Sequence, residues 1–233
     1  MNKALLVTIL ATLTLSGCGN KPKEQAAKSD AINLIMETDI GNDIDDALAM
    51  DLLYKYLDAG KINLLAVNLN KEGTAPAEYT DILNTWYGHP EIPIGIVRNG
   101  AECENDATNY AKAVAMMTDS TGAPAFKRTL KEYASLPDAH ILYRKLLAEA
   151  EDSSVVIASV GFSTNLSRLL ATPADEYSQL SGKELVARKV RSLVAMAGDF
   201  TDPGHSEYNV FKDIAAAKVY TRGMAYSGGH IPV

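Results

Sequence analysis

Short apolar runs separated by helical stripes limit what this chain can fold into. The first, Ile32–Met36, is interrupted only by Asn33. I-N-L-L-A-V (62–67), I-P-I-G-I-V (92–97), V-V-I-A-S-V (155–160) and S-L-V-A-M-A (192–197) follow, each of the buried-strand type. Between them the period changes. Ala47, Leu48, Leu52, Leu53, Tyr56 and Leu57 form one helical stripe, closed by Gly60 as a C-cap. Helical patterning also covers 77–87, 138–150, a short segment after Thr164, 182–190 and a segment starting near Asp213. Residues 98–122 are turn-rich and resist assignment. Strands alternating with helices predict an α/β, Rossmann-like fold with a mostly parallel sheet flanked by helices. With 233 residues, 47% of them hydrophobic, there is enough chain for one domain with a full core.

The first 31 residues stand outside that pattern. Lys3 is followed by A-L-L-V-T-I-L-A-T-L-T-L (4–15), shorter than the roughly 20 apolar residues that span a bilayer. It reads as the h-region of a secretory signal. Leu15-Ser16-Gly17-Cys18 resembles the lipobox of bacterial lipoproteins, which implies cleavage before Cys18 and a diacylglyceryl group on its sulfur. The expected organisation is a signal peptide (1–17), a lipidated Cys and polar tether (18–31) and one domain (32–233), anchored by lipid to a membrane of the bacterial cell envelope. A plain signal peptide with an incidental Cys is the alternative. With Cys18 lipidated only Cys103 is left, so no internal disulfide is expected.

In open parallel sheets ligands sit beyond the carboxyl ends of the strands, so the residues just after each strand carry the functional information. After the first comes E-T-D-I-G-N-D-I-D-D (37–46), with five acids in ten residues; Asn68-Leu69-Asn70 ends the second. G-F-S-T-N (161–165) and G-D-F-T-D-P-G-H-S-E-Y-N (198–209) follow the fourth and fifth. Oxygen donors with no His or Cys beside the carboxylates suit calcium or magnesium and argue against zinc. Asp45 and Asp46 are adjacent at a helix start and point apart, so one can bind a metal while the other reaches a substrate. Asp39, at the strand end, can bind the metal and also polarise a metal-bound water. Alternatively, Asp43, Asp45 and Asp46 only cap the helix and favour its dipole. The net charge of −7 argues against a nucleic-acid polymer as partner and leaves a small neutral ligand or a cation open.

Three rival motifs fail on the letters. An EF-hand loop from Asp39 would need Gly and an acid where Ile44 and Met50 stand. The haloacid-dehalogenase pattern lacks its nucleophilic Asp in E-T-D-I-G. His205-Ser206-Glu207 opens a zinc-deaminase signature that no P-C-x-x-C completes.

From about Asn33 onward the chain resembles the inosine/uridine-preferring nucleoside hydrolases, whose signature is D-T-D-P-G-x-D-D-A-x-A. Here it stands as E-T-D-I-G-N-D-I-D-D-A-L-A (37–49). G-F-S-T-N-L (161–166) is similar to the family's G-P-L-T-N-L, E-Y-N-V-F-K-D (207–213) to its E-F-N-x-x-x-D, and N-T-W-Y-G-H-P-E-I-P-I-G (84–95) to a further stretch. The resemblance implies calcium held by Asp39, Asp46 and the backbone carbonyl of Thr164, with Asp39 also the general base. It implies that Asp45, Asn70, Glu207 and Asn209 hold the ribose hydroxyls of a small-molecule nucleoside. The reaction implied is hydrolysis of the N-glycosidic bond to ribose and a free base, and intact family members are expected to be homo-oligomers.

There are departures. The loop from Asp39 to the Asp pair is two residues longer than the signature, so Asp43 can take one of the roles. Glu37 replaces the first Asp and Ile40 replaces Pro. Asn70 rests on register, an ordinary strand-end Asn being the alternative, and Asp213 reads as a helix N-cap. In the family a C-terminal segment supplies a last metal-ligating Asp and often a His that protonates the leaving base. This sequence ends G-G-H-I-P-V, and His89, His140, His205 and His230 do not match that position. The expectation is a nucleoside hydrolase fold without its C-terminal part. An enzyme is the first reading; a catalytically impaired nucleoside- or ribose-binding lipoprotein, or a non-functional fragment, is the second.

Overall fold

A computed structural model describes residues 30–101, 108–201 and 204–225. The signal-like segment, Cys18, most of the tether, Cys103 and His230 lie outside them.

Five strands form one parallel sheet: β1 (Ile32–Thr38), β2 (Ile62–Leu69), β3 (Ile94–Gly95), β4 (Val155–Ser159) and β5 (Val190–Ala195). Their order is β3-β2-β1-β4-β5. β1 lies at the centre, with Asn33 opposite Asn63 on one side and Val155 on the other. Eight helices are described: α1 (Asp45–Asp58), α2 (Ala75–Trp86), α3 (Tyr110–Ala115), α4 (Ala139–Glu149), α5 (Thr164–Ala171), α6 (Gly182–Lys189), α7 (Tyr208–Lys212) and α8 (Ile214–Ala225).

Alternation along the strands sends neighbouring residues to opposite faces. Leu34, Met36 and Val67 pack with Met50 and Tyr54 of α1 and Ala77 of α2. On the other face Ile35, Ile157 and Leu193 pack with Tyr143 and Leu147 of α4, Leu166 and Leu169 of α5, Leu185 of α6 and Tyr220 of α8. Burial on both faces is why these strands read as continuous apolar runs. β5 is different. Leu193 is buried, but Val194 on the opposite face is 61% exposed, and no described helix covers it.

The expected third strand over 92–97 shrinks to a two-residue ladder with β2. Ile96 instead bridges Asp138, and its carbonyl accepts from the Ala139 N–H at 2.8 Å. The run therefore leaves the sheet edge to fasten the start of α4. β5 begins at Val190, directly after α6, and the turn-rich stretch contains the short α3. The order reverses direction between β1 and β4, so the loops after these strands part and leave a crevice.

Candidate active site

The crevice is built first by Thr38. Its hydroxyl accepts the Ile40 N–H at 3.0 Å and donates to Asp46 Oδ1 at 2.6 Å, which ties the strand end to the first turn of α1. The N-cap of α1 falls on Ile44 and has no side-chain hydrogen bond, so none of the aspartates caps it. Asp45 and Asp46 lie in the first turn, where their charge favours the helix dipole. Asp46 is buried, while Asp43 and Asp45 are exposed.

Burial, opposed by the Lys71 charge, pushes the Asp39 carboxyl up to about 6, with Asp45 and Asp43 adding to the rise. Burial and then the neighbouring Asp39 charge push Asp46 up to about 7. The two carboxyls oppose each other's ionisation, as expected of close like charges in a partly dry site.

A cavity of about 390 Å³ opens above them. Asp39, Asp43, Asp45 and Asp46 line one wall, Val160 and Phe162 beyond β4 another, and Met196, Glu207, Tyr208 and Asn209 a third. Glu207 accepts the N–H groups of Asn209 (2.8 Å), Val210 (3.0 Å) and Gly198 (3.0 Å). Asn209 Nδ2 donates to the carbonyls of Val160 (3.0 Å) and Met196 (3.1 Å), joining the ends of β4 and β5.

Asn70 lies beneath. Its Nδ2 donates to the Phe162 carbonyl at 2.8 Å, while its buried Oδ1 has no hydrogen-bond partner. A Cβ at Gly161 would stand 2.6 Å from both Asn70 Oδ1 and Asp39 Oδ1, so the two oxygens converge on that bare backbone. Gly161 is thus a spacing requirement of the site.

The structure brings Asp39, Asp45, Asp46, Glu207 and Asn209 to one cavity, with Asn70 under it. It does not place Thr164 on the wall. Thr164 starts α5, is buried, and donates its hydroxyl to Asp213 Oδ2 at 2.6 Å. Asp213 also accepts the Ala216 N–H at 3.0 Å, as expected of a helix N-cap. His89, His140 and His205 do not line the cavity.

The sequence reading took Glu37 only as a departure from the signature and did not single out Lys71. Glu37 is fully buried, and burial pushes its carboxyl up to about 8 against a hydrogen bond from Tyr143 (3.0 Å). Lys71 is only 3% exposed yet lines the cavity. Its place directly after Asn70 at a strand end was the available signal.

The sequence profile of the inosine-uridine preferring nucleoside hydrolases matches residues 34–226. The chain belongs to that family. No curated protein sequence matches it significantly. Solved structures similar in fold include the type III effector protein XopQ complexed with adenosine diphosphate ribose (18% identity, TM-score 0.60, 85% of this chain and 54% of that one). A plant nucleoside hydrolase, PpNRh1, has 19% identity and a TM-score of 0.57 over 81% of this chain and 56% of that one. The purine-preferring ribonucleoside hydrolase from Gardnerella vaginalis has 17% identity and a TM-score of 0.55 over 82% and 58%. This chain spans a little over half the length of these relatives.

In this nucleoside hydrolase-family chain the lengthened loop leaves Asp43 exposed on the cavity wall and Asp46 buried beside Asp39. Among the described residues no group of three His, Cys, Asp or Glu side chains is placed to hold a metal by itself. The candidate donors are therefore two carboxylates completed by neutral oxygens. Oxygen-only chemistry and two carboxyls raised by burial and proximity at one cavity wall fit a hard divalent cation.

Proposed function

We propose that this chain carries the catalytic pocket of a calcium-dependent nucleoside hydrolase that cleaves the N-glycosidic bond of ribonucleosides to ribose and free base. The observation that carries the reading is the convergence of Asp39, Asp45, Asp46, Glu207 and Asn209 on one cavity in a chain of this family. Asp39 and Asp46 would hold the calcium, with the Thr164 carbonyl as the third ligand that the family pattern implies. When bound, calcium supplies positive charge that eases deprotonation of a nearby water.

Asp39 takes the water proton while the water oxygen bonds to C1′. The C1′–N bond breaks, its electron pair leaves with the base, and the base nitrogen takes a proton from solvent while Asp39 returns its own. Asp45, Asn70, Glu207 and Asn209 hold the ribose hydroxyls, fixing the sugar where charge develops at C1′. The backbone N–H groups that fasten Glu207 keep its carboxylate from turning when the sugar departs.

A reducing-sugar assay with inosine or uridine and added calcium tests the reading. Ribose release by the parent, lost in Asp39→Asn, supports it. No release by the parent with saturable nucleoside binding leaves the second reading, a binding protein without turnover.

We further propose, from the lipobox-like Leu15-Ser16-Gly17-Cys18, that a lipid on Cys18 holds the protein at a membrane of the bacterial envelope. Among the described residues no helix is long and apolar enough to cross a membrane. Cys18→Ser should leave an unprocessed or soluble product, and a signal-cleaved variant that stays in the detergent phase as firmly as the parent would sink the anchor.

A further inference from the structure

A lysine is almost never fully buried unless something compensates its charge. Lys71 is buried at the wall of the acidic cavity, and among the described residues lining it Lys71 alone carries a positive charge. Its backbone is pinned where β2 ends, by a bridge to Ala101 and by the Glu72 N–H donating to the Ala101 carbonyl at 3.0 Å. Its Nζ donates to Asn42 Oδ1 at 2.7 Å, inside the loop that joins Asp39 to Asp46. Gly41 has φ +137°, and a Cβ there would stand 2.8 Å from the Lys71 Nζ. The two residues by which this loop exceeds the family signature lie in the same segment. Backbone, loop and glycine together hold an ammonium where its charge bears on Asp39 and Asp46, lowering both carboxyls against burial.

We propose that the Lys71 ammonium is a built-in counter-cation of the acidic cluster, competing with the divalent cation for Asp39 and Asp46 and so setting how tightly that cation is held. The proposal rests on the calcium reading above. Cation and ammonium repel at short range in a partly dry site, where Coulomb interactions are several times stronger than in water. Each stabilises the same ionised carboxylates, so occupancy by one weakens the hold of the other. Without metal, Lys71 keeps the facing carboxylates from forcing the loop apart. With metal, it becomes the unfavourable neighbour. A lysine serving only as a peg for the Asn42 loop would behave differently, because its removal would loosen the loop and weaken metal binding.

Calorimetric titration with calcium chloride on the full chain, the Lys71→Met variant and the Lys71→Arg variant tests this, with melting temperatures measured with and without calcium. Lys71→Met should bind calcium about tenfold more tightly or better, melt lower than the parent without metal, and gain more from added calcium. Lys71→Arg keeps the charge and should stay near the parent in affinity. Equal or weaker calcium affinity in Lys71→Met overturns the proposal while leaving the calcium reading intact. Absence of calcium binding in all three proteins overturns both. If Lys71→Met does not fold, nuclear magnetic resonance of ¹⁵N-lysine-labelled parent decides, using the side-chain signal lost in Lys71→Arg. A shift of that Nζ signal on adding calcium supports competition, and an unmoved signal at saturation overturns it.

Discussion

Asp46 and Asp43 sit three positions apart in the same loop, yet their environments separate them. Asp46 is buried beside Asp39 and held by Thr38, whereas Asp43 is exposed. Asp46→Ala should therefore abolish the rise in melting temperature on adding calcium, and Asp43→Ala should leave most of it; equal losses in calorimetric scans would mean that the loop's acids share the metal. The same burial dictates a pH dependence. Glu37, Asp39 and Asp46 are raised from ordinary values of 4.5, 3.8 and 3.8 to about 8, 6 and 7. A folded state that keeps protons which the unfolded chain has released loses stability as pH rises through that window. The metal-free protein should melt progressively lower from about pH 5 to about pH 8, and saturating calcium should flatten the decline. A metal-free melting temperature that rises over the same range would refute the assignment. The acidic loop was legible in the sequence because strand ends are where such sheets bind ligands. The choice between Asp43 and Asp46 was not secured, since it depends on the path of an inserted loop. The burial of Lys71 and of Glu37 was not legible, because burial by distant residues is not encoded in local spacing.

Among the elements, a buried cation ties one helix to the connection between two others. Arg144 of α4 is fully buried, donates to Asp175 Oδ1 at 2.7 Å and to the Leu180 carbonyl at 2.9 Å, and so fastens the connection between α5 and α6. Asp175→Asn leaves that guanidinium without a balancing charge. Breaking a buried pair costs about 3–5 kcal/mol, and because Asp175 is 26% exposed the lower end, about 3 kcal/mol, is expected from urea unfolding. A loss below about 1 kcal/mol, the range of exposed pairs, would show that the carbonyls alone satisfy Arg144. Element order and type were legible because β1, β2 and β4 are largely buried apolar runs with helical stripes between them. The third run misled for a physical reason: Ile92, Ile94 and Ile96 are buried, but burial came from α4 and the loop before it as well as from the sheet. Helix α3 is too short to show a period, and Asn109 caps it by accepting the Lys112 N–H at 3.0 Å.

For the molecule as a whole, protection is uneven across the sheet. Among the described residues β1 is paired on both sides and packed on both faces, whereas β5 is paired on one side and leaves Val194 in solvent. Native-state hydrogen exchange should find the amides of β5 opening well before those of β1, since openings of low free energy follow low burial; equal protection would mean that β5 is covered in solution. The central position of β1 has a second consequence, a kinetic one. Its register with β2 closes a short loop through α1, but its register with β4 joins Asn33 to Val155 across everything between them. Distant parallel pairings of this kind form slowly, because the closure entropy is lost before any contact rewards it. Asp39 and Asp46 come together with the first closure, whereas Phe162, Glu207 and Asn209 reach them only with the second. A refolding chain should therefore own half a pocket early, two carboxylates on a parallel βαβ unit, and complete the cavity only when its slowest strands have docked.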